Sequence, residues 1–283
     1  REYANCTQST YFAQHNHSKR SLAINLKSKE GQALIKKLIE RSDVLVENFA
    51  PGVIGRMGLA YDAVKKINPE IIMCSISFAG QEGPLANEPG FDYMAAAYAG
   101  ITEMIGENDR SPSQVSMAVG DSATGISAAM AVAVALLHRE RTGEGQFIDC
   151  SLLDTYLQMH EDYIPRVGLR GDAASPERSG SQHPNGGPTG IFECGDGSFL
   201  QMMIMPYQWP RLLQAIGMPE LEKDTRFNSP QNRRKNKFEL QGIIEQWMAK
   251  IGNRQDILTI LKDQRVPVAP VLTLQEAINH PHA

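Results

Sequence analysis

Asp43-Val44-Leu45-Val46-Glu47-Asn48 and Ile71-Ile72-Met73-Cys74-Ser75-Ile76-Ser77 decide the fold class of this chain. Each is a short apolar run closed by a loop signal, Phe49-Ala50-Pro51-Gly52 after the first and Gly80 after the second. Runs of this length with little polar alternation read as strands covered on both faces, the pattern of a parallel sheet. Between them Tyr61, Val64 and Ile67 recur at helical spacing before Asn68-Pro69. Upstream, Ser28 offers a cap, and Leu34, Ile35, Leu38 and Ile39 mark one helical face. Helix alternating with strand predicts an α/β unit, a parallel sheet with covering helices.

Working outward, the most apolar stretch runs from Ala123 to Leu137 and ends in His138-Arg139-Glu140-Arg141. It is shorter than the roughly 20 residues that cross a bilayer, so it is read as a buried helix capped by Gly143. Gln146-Phe147-Ile148-Asp149-Cys150 reads as a third strand, and a helix is expected from Leu152 to His160. From about Gly168 to Gly187 periodicity gives way to Gly, Ser, Pro, Asp and Arg, the composition of a linker. Beyond it, residues 190–194 and 198–203 flank Gly195-Asp196-Gly197 as a hairpin. Helices are expected over 209–216, 233–248 and 254–262, then an extended Val266-Pro267-Val268-Ala269-Pro270-Val271. The division expected is a large α/β domain over 1–167, a linker over 168–187, a small α+β domain over 188–270, and 271–283 turning back toward the first.

A length of 283 residues suits about two domains. Composition is ordinary for a globular chain, 42% hydrophobic and 21% charged. Thirty-two acidic against 28 basic residues give a net charge of −4, which argues against a nucleic-acid binder. The four cysteines, Cys6, Cys74, Cys150 and Cys194, form no C-x-x-C pair and fit a reducing compartment. The opening Arg1-Glu2-Tyr3 shows no signal peptide. With the closing His280-Pro281-His282-Ala283, it reads as a chain cut at both ends.

His15-x-His17 and His280-x-His282 would each present two imidazoles on one side of an extended chain, but no Cys or carboxylate stands near at ligand spacing. No metal site is expected. Gly120-Asp121-Ser122 invites a serine-hydrolase reading, yet no G-x-S-x-G elbow is present and no Asp has His three residues on. As a carboxylate site, the same triplet has two readings. Asp121 is the N-cap of the apolar helix, or it is a nucleophile kept ionised by the helix dipole and stripped of water by the apolar helix behind it. Asp92 and Asp154 are rival carboxylates, read as surface or hydrogen-bonding groups. A ligand belongs at the carboxyl ends of the strands. There Asn48 and Phe49 leave the first strand, Arg56 follows one helical turn on, and Lys19, Arg20 and Lys27 lie upstream. Amide, ring and separated cations suit a phosphorylated, adenine-containing molecule. The absence of G-x-G-x-x-G and of a Walker A motif disfavours NAD and ATP.

Several of these motifs occur together in one family. Lys19-Arg20-Ser21, Val46-Glu47-Asn48-Phe49-x-Pro51-Gly52, Arg56-Met57-Gly58, Asn68-Pro69 and Gly80 through Gly83-Pro84 come in order. They are followed by Gly120-Asp121, Arg141-Thr142-Gly143-x-Gly145-Gln146, Asp196-Gly197, Val266-Pro267 and His280-Pro281. With this series, nearly the whole chain resembles the class III CoA-transferases, the formyl-CoA transferase and carnitine CoA-transferase (CaiB/BaiF) group. The resemblance implies a Rossmann-like large domain and a smaller α+β domain in an interlocked homodimer, with the family's N-terminal βα unit and C-terminal return missing here. It implies Asp121 as the nucleophile that forms an acyl anhydride and then an aspartyl-CoA thioester. It places Lys27, Asn48, Phe49 and Arg56 along bound CoA, which is a substrate rather than a resident cofactor. The partners expected are acyl-CoA and a small carboxylate, with no nucleic acid and no membrane. The location expected is cytoplasmic, or the mitochondrial matrix in a eukaryote. Two departures stand out. His183-Pro184-Asn185-Gly186-Gly187 keeps only part of the glycine run that covers the formyl-CoA transferase site. Phe91-Asp92 stands where related α-methylacyl-CoA racemases carry His-Asp, and Phe cannot move a proton. Racemase and inactive CoA-binding subunit remain the alternatives.

Overall fold

The computed structural model describes residues 9–283, so Cys6 and the opening residues lie outside the described part. The chain divides into two compact units, residues 1–89 with 122–152 and residues 90–121 with 153–283. Residues 90–121 and 153–167, expected in the large domain, belong to the second unit.

The first unit holds strands β1 (Val44–Glu47), β2 (Ile72–Ser77) and β3 (Phe147–Ser151), parallel and in that order. Both apolar runs are therefore strands, and the α/β reading holds. The central strand is the most apolar, and Ile72, Met73 and Cys74 are almost wholly buried. The helix Lys29–Ile39 starts as expected, with Ser28 Oγ accepting from Gly31 N–H at 3.0 Å. Helix Tyr61–Ile67 follows, and Asn68 ties the two ends together through Ile39 O and Ser42 O. Ile39, Ile54, Leu59, Val64, Ile71 and Met73 form the core beneath them.

The apolar helix differs from its expectation twice. It runs Val119–Thr142, 24 residues, long and apolar enough by length and composition to cross a membrane, a test that core helices also pass. It is also not buried. Small residues, Thr124, Ala128 and Ala135, form a thin buried face, and Cys150 Sγ lies 3.9 Å from Thr124 O. Ile126, Met130 and Val134 are 72%, 66% and 63% exposed. Composition cannot separate the two cases, because an apolar face covered by another body reads like one covered by the same chain. Arg139 fastens the helix C-terminal part by its Nη2, 2.8 Å from Asp43 Oδ1.

In the second unit, β4 (Thr189–Glu193) and β5 (Phe199–Met203) form the expected hairpin, and β6 (Val268–Pro270) pairs antiparallel with β5. Helices Trp209–Ile216, Lys237–Ile251 and Arg254–Asp263 cover one continuous apolar core that includes Phe192, Leu200, Phe227, Leu240 and Leu261. The helix expected over 233–248 is two, Pro230–Lys235 and Lys237–Ile251, broken at Asn236. The stretch read as a linker carries the end of helix Tyr163–Arg170, a short 3-10 turn at Asp172–Ala174, and buried Ser179 and Gln182.

Candidate active site

Asp121 is not the cap of its helix. The helix starts two residues earlier, at Val119, so Asp121 is its third residue and keeps the first-turn position favoured for an anion. The orphan amides of that turn are met by side chains from elsewhere in the second unit. Tyr156, on helix Leu152–Met159, accepts from Gly120 N–H through its hydroxyl at 3.0 Å. Asp92, first residue of helix Asp92–Tyr98, accepts from Asp121 N–H through Oδ2 at 3.1 Å. The Tyr156 hydroxyl donates in turn to Asp92 Oδ1. A closed Gly120–Tyr156–Asp92–Asp121 circuit holds the turn.

This circuit explains the glycine. A Cβ at residue 120 would stand 2.2 Å from Tyr156 Cε2 and 2.8 Å from Asp92 Oδ1, so only Gly lets the ring approach. Asp92 is 5% exposed, which corrects the surface part of its reading and bears out the hydrogen-bonding part. Asp154 is exposed.

The carboxyl of Asp121 is raised above its ordinary range, first by partial burial and then by the charge of Asp92. Its residue surface is open to solvent at the same time, so a reactant can reach it. Burial and the bond to Asp92 push the Tyr156 hydroxyl up to about 12, keeping it a proton donor at neutral pH. A reachable carboxylate, its basicity raised by partial burial, on a hydrogen-bonded turn is equipped for nucleophilic attack. Asp92, with both oxygens engaged, is not equipped to shuttle a proton. Phe91, 74% exposed, offers none.

The four residues expected along a CoA-like ligand lie in the first unit. Asn48 leaves the carboxyl end of β1, and its Nδ2 donates to Ile76 O at 2.7 Å, bracing it against β2. Phe49 N–H donates to buried Glu47 Oε2 at 2.7 Å, which turns the chain and leaves the ring 38% exposed. Gly52 takes the left-handed φ of +77°, and a Cβ there would stand 3.3 Å from Arg56 Nη1, so loop and guanidinium are close. Asn48, Phe49 and Arg56 thus share one strand-end loop region, at the place expected for ligands in a parallel sheet. Lys27 is exposed in the turn before helix Lys29–Ile39, its backbone N–H on Asn25 Oδ1 at 3.1 Å.

Among the described residues no group of three or more His, Cys, Asp or Glu is arranged to hold a metal. His15 lies in helix Thr10–Asn16 against Tyr11, and His282 N–H turns back onto His280 Nδ1 at 3.2 Å. Neither pair lines an extended chain.

Tyr156 is the residue that sequence reasoning missed. It falls on the apolar face of its helix, where an aromatic reads as core. The only signal was the pairing of Gly120 with Asp121, since a glycine inside a helix start asks for a close neighbour.

The chain is similar to known proteins along its whole length. The family model described as CoA-transferase family III matches residues 1–283. The chain is 35% identical to a succinyl-CoA–D-citramalate CoA-transferase of Chloroflexus aurantiacus over 94% of its own length and 65% of that protein's. It is 35% identical to an acetyl-CoA:oxalate CoA-transferase of Acetobacter aceti, over 97% of this chain and 70% of the relative. A crystal structure of a CaiB/BaiF family protein from Brucella suis aligns with TM-score 0.80 at 33% identity, over 93% of this chain and 69% of that one. The chain therefore spans about two thirds of the length of its curated relatives.

Proposed function

Because the chain belongs to CoA-transferase family III, we propose that it carries the catalytic part of an enzyme moving CoA from an acyl-CoA donor to a small carboxylate. The observation that carries this reading is Asp121 at a helix start, its backbone N–H held by the Asp92–Tyr156 circuit and its side chain left open to a reactant. Asp121 attacks the donor thioester, expelling CoA thiolate and leaving an aspartyl–acyl anhydride. The thiolate returns to the aspartyl carbonyl, releasing the donor's carboxylate and leaving an aspartyl-CoA thioester. The acceptor carboxylate displaces CoA from that thioester, and the thiolate then takes the new acyl group and frees Asp121. Every step conserves charge, and no resident cofactor is required. Lys27 and Arg56 hold phosphates of CoA, while Asn48 and Phe49 line its path.

The names of the relatives support short acyl-CoA donors and small dicarboxylate acceptors such as D-citramalate or oxalate. We place the enzyme in the cytoplasm, with a Rossmann-like large domain and an interlocked homodimer. The exposed apolar face of helix Val119–Thr142 favours association. Full-length protein incubated with a panel of acyl-CoAs and carboxylates, read by mass spectrometry, should form new acyl-CoAs in a ping-pong pattern. Hydroxylamine trapping during turnover should label Asp121. Labelling at Asp92 or Asp154 would refute the assignment. The racemase alternative predicts solvent deuterium in a branched acyl-CoA without any acceptor, and engaged Asp92 with exposed Phe91 argues against it. CoA binding with no transfer to any carboxylate would instead select the inactive-subunit reading.

A further inference from the structure

The second unit contains a cavity of about 630 Å³, to which Pro184 and Asn185 contribute beside a basic wall. Its wall carries Arg166, Arg170, Arg234, Lys235 and Lys237, with Phe238 beside them. Glu177 is the one carboxylate among the described residues lining it. Arg166 is already committed: Nη1 lies 3.2 Å from Asp162 Oδ2, and its guanidinium stacks 4.8 Å over Tyr163. Asn185, in the amide orientation that satisfies both groups, also accepts from its Nη1 and Nη2 at 3.1 and 3.2 Å. Its Nε is nonetheless buried and has no partner among the described residues. The other four cations face a single carboxylate.

That imbalance is unusual in a chain whose net charge is −4. Dispersed surface lysines need no explanation, but cations converging on one concavity repel each other and focus a positive field into it. Burial holds the Lys237 ammonium below its ordinary range, with Glu177 opposing and Arg234 adding a smaller lowering. An incoming anion relieves that repulsion. Arginines match phosphate geometry through paired N–H groups, whereas the lysines act as point charges. Phe238 is 49% exposed and gives the same wall an apolar surface.

We propose that this cavity binds a small molecule carrying at least two phosphate groups, at a site separate from the Asp121 circuit. No residue of the Gly120–Tyr156–Asp92–Asp121 circuit lines it. The phosphates could come from a free inorganic polyanion or from the nucleotide end of a CoA-like molecule, and the arms of the test separate these sources.

The test is calorimetric titration of the full chain carrying Lys27→Ala and Arg56→Ala, so that a phosphate site in the first unit does not contribute. Pyrophosphate, adenosine 3′,5′-bisphosphate and adenosine are the probes. Both phosphate compounds should bind and adenosine should not. Adding Arg234→Glu and Lys235→Glu should weaken binding at least tenfold, whereas Lys65→Glu and Lys66→Glu should change it less than twofold. Arg234→Gln with Lys235→Gln should give an intermediate loss, and circular dichroism checks that each variant folds. A bisphosphate bound tenfold tighter than pyrophosphate, with the advantage lost in Phe238→Ala, identifies the nucleotide as source; equal affinities identify the free polyanion. No binding, or equal losses from both pairs of charge reversals, would overturn the proposal.

Discussion

Gly120→Ala sets two physical effects against each other. On helix propensity alone, alanine inside a helix should stabilise by up to about 1 kcal/mol over glycine. The structure requires the opposite sign. The new Cβ would stand 2.2 Å from Tyr156 Cε2, so the ring must retreat by about 1.2 Å to reach ordinary contact. The retreat breaks the 3.0 Å bond from Gly120 N–H to the Tyr156 hydroxyl and, with it, the bond from that hydroxyl to the Asp92 carboxylate. A neutral bond and a charge-assisted one together contribute about 2–4 kcal/mol. Setting the propensity gain against that loss leaves the variant destabilised by about 1–3 kcal/mol. Urea unfolding measures the total, and hydrogen exchange at residues 120 and 121 shows whether the helix start has opened. Displacement of a reacting group by about 1 Å costs about 100-fold in rate, so transfer activity should fall by at least that factor. A variant as stable as the parent or more so, with undiminished exchange protection, would refute the packing of Tyr156 against Gly120.

Asp121→Asn should abolish transfer while leaving CoA affinity within about twofold, measured by titration, because shape is kept and only the nucleophile is lost. The acid limb of the pH–rate profile should follow Asp121, whose raised value means activity is lost as pH falls through it; Asp92→Asn removes one raising charge and should move that limb to lower pH. The linked stability has the opposite sense. A carboxyl raised in the folded state favours folding as pH falls, so the gain in stability from Asp121→Asn should be greatest near neutral pH and shrink on acidification. Arg56→Ala and Lys27→Ala should each weaken CoA binding by about 1–3 kcal/mol, and less for a pantetheine thioester without the nucleotide. Burial pushes the Cys74 thiol up to about 11, so at pH 8 it should resist iodoacetamide until the chain is unfolded, as peptide mapping would show.

The sequence by itself determined the sheet, because strand reading depends on short-range pattern. Two apolar runs near Val44 and Ile72, each closed by a loop signal, had no other economical fold, and they pair in parallel. The hairpin around Gly195-Asp196-Gly197 and the cap at Ser28 were legible for the same reason: their chemistry lies within a few residues. The motif series also carried the family, which needs order and spacing but no coordinates. What tertiary structure decided was every relation across many residues. Local sequence left Asp121 as either N-cap or nucleophile; the helix start at Val119 removes the cap reading, and the first-turn amides are satisfied by Asp92, 29 residues from Asp121, and by Tyr156. Tyr156 is buried, and periodicity records which face a side chain is on and not what its hydroxyl meets. The helix from Val119 to Thr142 looked buried because hydropathy reports the wish to leave water, while which of its residues the chain covers is decided by packing, which leaves Ile126, Met130 and Val134 exposed.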